Sequence, residues 1–142
     1  MNETKNVSRI DVIVRYAETD RMGIVHHTNY LVWFEAGRTE YMRERGTSYR
    51  QMEEQGIFLP VSESHCRLVS PAHYEDMVTI ETWIESVKSR QVTFGYRALR
   101  DGKVLAKGST VHICTDGAAR PMVLPDWVKK ELLSPGGGRS DE

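Results

Sequence analysis

The sequence holds two cysteines and no apolar stretch near the roughly 18 residues needed to cross a bilayer. Each shortage excludes something. Cys66 and Cys114 form no CxxC pair, which argues against a zinc ribbon or a redox motif, and both read as reduced core thiols. Without a long apolar run there is no transmembrane helix, and the opening MNETKNVSRIDV lacks the apolar centre of a secretory signal, so a cytoplasmic protein is expected. Charge of one sign is missing too: 19 basic against 20 acidic residues give a net charge of -1, which favours neither nucleic acid nor an anionic membrane. Any anionic ligand must be held locally. Asp20, His26, His27, His65 and His73 offer imidazole and carboxylate, but no HxH or HxxxH spacing occurs, so no metal site and no cofactor are expected.

What remains is an ordinary chain of 142 residues, the size of one domain. Residues 9–15 alternate as a strand with one buried face. The pattern then collapses into the polar, glycine-containing YAETDRMGIVHHT, a length uncommon between elements unless it is functional. Thr28 or Asn29 can cap a helix in which Tyr30, Phe34, Gly37 and Tyr41 recur at helical spacing, with Leu31, Trp33 and Ala36 widening the stripe until Gly46. A shorter helix is expected over 48–55. From Val61 the period becomes two, through 61–69, 77–87, 91–99 and 104–114. Asp101-Gly102 between two such runs is a type I′ hairpin signal, because both central positions need positive φ. Asp126 to Leu133 reads as a final helical turn, and 135–142 as a flexible tail after a domain over 1–134. One long helix and about five strands describe an α+β domain, a curved antiparallel sheet around a helix. Trp83 and Val87 interrupt the polar face of their strand, so a subunit contact is expected there.

The polar segment between strand and helix carries the chemistry. Asp20, Gly23, Ile24, Val25, His27, Asn29 and Tyr30 fall in the order of a known pattern: an Asp, two residues, a Gly, small apolar residues, an aromatic or His pair, and an Asn-Tyr helix start. In this the chain resembles the 4-hydroxybenzoyl-CoA thioesterase family, hot-dog-fold acyl-CoA thioesterases, with looser likeness over the strand order to about Leu124. The residues point the same way unaided. Thioester hydrolysis needs a carboxylate or other base beside the carbonyl carbon and donors for the oxyanion. A loop running into a helix start can supply both, since first-turn N–H groups lack intrahelical acceptors and carry the positive end of the macrodipole.

The resemblance implies that Asp20 is the catalytic carboxylate, as nucleophile or as base for water, that the His27 backbone N–H faces the thioester oxygen, and that Gly23 shapes the loop. Tyr30 and Phe34, which start the helix nearest the loop, are candidate pocket residues. Coenzyme A brings several phosphate charges, for which Lys88, Ser89 and Arg90 in one turn, and Arg67, are candidate contacts. Glu35 reads as half of an i, i+3 ion pair with Arg38. The implied assembly is a homo-oligomer, a dimer or a tetramer of two dimers, with sites at the dimer seam. An acyl-carrier-protein thioesterase and a non-catalytic acyl-thioester binder are the alternatives; the retained Asp20 disfavours the second.

Overall fold

A computed structural model describes residues 6–135, so all but the first residue of the expected tail lies outside the described residues. The elements are β1 (Ser8–Ile13), a 3-10 turn (Tyr16–Glu18), α1 (Thr28–Glu44), α2 (Tyr49–Glu54), β2 (Val61–Leu68), β3 (Met77–Val87), β4 (Gln91–Arg100), β5 (Lys103–Ile113) and α3 (Asp126–Leu133). The five strands form one antiparallel sheet in the order β1-β3-β4-β5-β2. This is the expected α+β architecture, with α1 laid on the concave side.

The core is built where the two periodicities meet. Phe34 and Tyr41 of α1 are fully buried, as are Val78 and Ile80 of β3 and Phe94 of β4. Phe34 stacks on Tyr96 with centroids 4.4 Å apart and planes at 5°. Gly37 is required by this packing: a Cβ there would lie 2.5 Å from Thr82 Oγ1 and 3.0 Å from Ile80 Cγ2, so no larger residue lets α1 settle onto β3. The hairpin forms as expected, with φ of 52° at Asp101 and 79° at Gly102.

Several expectations are corrected. The N-cap of α1 is His27, which makes no side-chain cap bond; Thr28 is already helical, and Asn29 Nδ2 is spent on the Glu18 carbonyl at 3.0 Å. Leu31 and Ala36 are exposed, so the buried stripe of α1 is narrower than its apolar content suggested. Cys114 is buried, but Cys66 is exposed. The reason lies in the sheet order: β2 is an edge strand paired only with β5, and all eight of its residues are exposed.

Candidate active site

The segment from Tyr16 to His27 folds back on itself at one end of the sheet. Thr19 bridges Val25, Ile24 bridges His73, and Val25 N–H donates to the Ala72 carbonyl at 2.9 Å, so the loop is pinned against residues 72–74. That support is itself tied down, since Asp76 accepts from His73 N–H at 2.8 Å and from Arg100 at 2.7 Å. At the tip, Asp20 Oδ1 accepts from the backbone N–H of Met22 at 2.8 Å and of Ile24 at 3.1 Å. The bonds from Ile24 and Met22 hold the Asp20 carboxyl below its ordinary range. Oδ2 accepts nothing from the described residues. Gly23 sits at φ 76° with open space where a Cβ would be, so the turn needs glycine for its backbone angle and not for room.

Asp20 is an Asx-turn residue by this geometry, and the turn leaves one of its two oxygens free and exposed. Eight residues on, the chain enters α1. His27 has φ -59° and ψ -30°; Asn29 N–H returns to the His26 carbonyl and Tyr30 N–H to the His27 carbonyl. The N–H groups of His27 and Thr28 meet no acceptor among the described residues. A free carboxylate oxygen and two adjacent unpaired donors at a helix start are what acyl transfer requires.

A residue that sequence reasoning missed holds these parts together. The Glu18 carboxylate is buried and accepts from Arg15 N–H at 2.8 Å, from the Arg15 guanidinium at 3.2 Å and from the Trp33 indole at 3.1 Å. Burial opposes its charge, but the backbone and side-chain bonds from Arg15 and the bond from Trp33 outweigh it and hold the carboxyl below its ordinary range. The Glu18 carbonyl also accepts from His26 N–H and from Asn29 Nδ2. Two residues before Asp20, the loop is therefore clamped to the first two turns of α1. An acidic residue before a buried Trp carries no local signal of this, since the two are 15 positions apart.

Beside the loop lies a cavity of about 240 Å³ lined by Ile24, Val25, Tyr30 and Leu68, among others. Tyr30 thus reaches the cavity, and burial pushes its hydroxyl up to about 12, so it stays neutral. Phe34 does not join it: the ring is fully buried in the core against Tyr96. Arg67, exposed on β2, precedes the cavity residue Leu68 and by strand alternation faces the other side of the sheet. Lys88, Ser89 and Arg90 form the turn at the far end of β3, whereas Ile13 pairs with Met77 at the near end. The length of β3, about 3.3 Å per residue, separates that turn from Asp20 within one chain.

A second polar constellation hangs on the middle of α1, and from Tyr96 to His112 each of its hydrogens is committed. The Leu59 carbonyl can only accept, so His112 Nδ1 carries the hydrogen at 2.9 Å. His112 Nε2 then accepts from Thr110 at 2.9 Å, Thr110 Oγ1 accepts from the Tyr96 hydroxyl at 2.6 Å, and Tyr96 accepts from Arg38 Nη1 at 3.4 Å. Burial pushes His112 down to about 4, the Leu59 carbonyl opposes the shift, and the Arg38 charge adds to it. The expected Glu35–Arg38 pair is absent: Arg38 Nε donates to Tyr49 Oη at 2.8 Å instead.

Comparison with known proteins gives the family and the fold. Residues 14–132 match the model of the thioesterase-like superfamily. The Bacillus subtilis protein YneP is 38% identical over 128 residues, covering 86% of this chain and 93% of that protein. The acyl-CoA thioesterase YbgC of Haemophilus influenzae is 33% identical over 120 residues, covering 83% and 88%. A solved structure of a hypothetical protein from Thermus thermophilus superposes with a TM-score of 0.84 at 38% identity, covering 88% of this chain and 96% of that one. The chain belongs to the thioesterase-like superfamily and is a hot-dog-fold thioester hydrolase.

Proposed function

We propose that the protein hydrolyses acyl-CoA thioesters at the junction of the Asp20 loop with α1. One observation carries this: an Asp with one oxygen fixed by two backbone N–H groups and the other free, on a loop clamped to a helix start whose first two donors are unpaired. The thioester oxygen takes the N–H groups of His27 and Thr28. The free Asp20 oxygen acts on the carbonyl carbon by one of two routes. As a base it takes a proton from water while the water oxygen bonds the carbon; the C–S bond then breaks, and the departing thiolate takes that proton. As a nucleophile it bonds the carbon itself, the thiolate leaves, and water opens the mixed anhydride. Both give a carboxylic acid and coenzyme A. Loss of one oxyanion donor costs on the order of 3 kcal/mol in such sites, so the two donors are a main part of the catalytic power.

The working unit in this reading is a homo-oligomer in the cytoplasm. The wholly exposed edge of β2 supports pairing with a second copy, which covers the open groove between α1 and β2. Trp83 and Val87, half-buried on β3, are candidates for a contact between two such dimers. Lys88, Ser89 and Arg90 can meet the nucleotide of a substrate at this Asp20 only from another copy. The test is free-thiol release from a panel of acyl-CoAs by the purified protein, with light scattering on the same sample. Turnover without added metal and a mass at least twice the 16.3 kDa of one chain support the reading. Binding without thiol release, or a fully active monomer, overturns the corresponding half.

A further inference from the structure

The cavity beside the Asp20 loop has a neighbour along the same side of α1. Below it on the same seam between α1 and β2 lies a second cavity of about 240 Å³, lined by Leu31, Glu35 and Arg38 of α1, Ser64 of β2 and Thr110 of β5, among others. The two are in line. Strand alternation puts Ser64, Cys66 and Leu68 on one face, opposite Thr110, Gly108 and Ala106 of β5. Ser64 serves the lower cavity and Leu68 the upper, about 13 Å apart along the strand. On the helix, Tyr30 serves the upper and Arg38 the lower, separated by a rise of about 12 Å.

Arg38 is the unusual group in the lower cavity. Its residue is only 9% exposed, yet it forms no ion pair with a carboxylate among the described residues. Its partners are two phenol oxygens, those of Tyr49 and Tyr96, and burial keeps both phenols neutral by pushing them up, Tyr49 to about 12. Tyr96 cannot do more, because its own hydrogen is committed to Thr110 and through it to His112. Nη2 donates to nothing among the described residues. A buried guanidinium with spare donors and only neutral partners is a strong site for an anionic oxygen. Glu35 lines the same cavity but is exposed, so its charge is screened and competes weakly.

We propose that Arg38 receives the far end of the acyl group, and that the favoured substrates are acyl-CoAs carrying a carboxylate at that end. The proposal rests on the reading of the Asp20 end as the thioester end. From Thr28 to Arg38 the helix rises about 15 Å, and the Arg side chain leans back toward the helix start, leaving roughly 10 Å between thioester and guanidinium. A medium-length dicarboxylic acid bound as its mono-thioester spans that distance.

Suberoyl-CoA and octanoyl-CoA share chain length and differ in the terminal carboxylate. The ratio of their kcat/KM values, measured by thiol release, is expected to favour suberoyl-CoA about tenfold or more in the wild type. Arg38→Gln brings that ratio to about one or below, and Arg38→Lys keeps part of it. The wild-type ratio needs no variant, so it decides even where Arg38→Gln fails to fold. A wild-type ratio of one or less, or a preference that survives in Arg38→Gln, overturns the role of Arg38 and leaves the thioesterase reading standing. Hydrolysis of neither thioester overturns both.

Discussion

The two ends of the first half of α1 carry polar groups of similar chemistry in opposite states. At the helix start, Asp20 keeps a free oxygen and the N–H groups of His27 and Thr28 keep free hydrogens, all at the surface. Around Arg38, the Tyr96–Thr110–His112–Leu59 chain is buried and every one of its hydrogens has an acceptor. A satisfied network specifies structure; unspent donors and acceptors held rigidly in the open are available to a ligand. Glu18 is the intermediate case, with a buried and fully bonded carboxylate whose effect is to hold the open end in place.

Substitutions at the two ends should therefore separate activity from stability. Asp20→Asn has the largest expected effect: kcat falls about a thousandfold or more, roughly 4 kcal/mol, while the thermal midpoint stays near that of the wild type. A rate within threefold of wild type breaks the comparison at its open end. At the closed end, the relevant axis is stability against pH. His112 titrates at about 4 in the fold against 6.5 in the unfolded chain, so between these values the unfolded chain binds a proton that the folded one does not. Stability is then complete above about pH 6.5 and falls as the pH drops toward 4, by roughly 3 kcal/mol in all. Denaturant unfolding at pH 7 and pH 4.5 reads this, and His112→Gln should lose that part of the slope; an unchanged slope removes His112 as its source.

Glu18→Gln keeps the shape and loses the charge held by Arg15, so the loop loosens without unfolding. We expect a fall of about tenfold in kcat, little change in KM, and a shifted Trp33 emission, since the indole loses its charged acceptor. Loss of stability with kcat intact would make Glu18 a packing residue only. His27→Ala is the mildest, within a fewfold of wild type, because its backbone donor survives. A loss as deep as that of Asp20→Asn would show the imidazole itself to be essential.

Much of this molecule is legible in its residues because the signals are local. The Asp101-Gly102 hairpin, the switch to period two after Pro60, and the Asp20-to-Tyr30 segment each announce themselves within a few positions. What the residues did not reveal depended on partners far along the chain. Arg38 reads as pairing with Glu35 one turn away, but Tyr49 and Tyr96 take its donors, the latter 58 positions on. Cys66 reads as core because alternation tells which face a residue occupies and not which strand ends the sheet. Phe34 reads as pocket, yet Gly108 leaves space for its ring inside the core. Lys88 and Arg90 have the right charge, and only the direction of β3 places them at the other end.

The central claim is that the thioester carbonyl lies on the unpaired donors of α1, facing the free oxygen of Asp20. A crystal structure of the wild type with a non-hydrolysable analogue, the thioester sulfur separated from the carbonyl by a methylene, tests it directly. The account predicts the carbonyl oxygen about 2.7–3.1 Å from the backbone nitrogens of both His27 and Thr28, with Asp20 Oδ2 aimed at the carbonyl carbon. A carbonyl seated elsewhere, with those two N–H groups left to solvent, would contradict it.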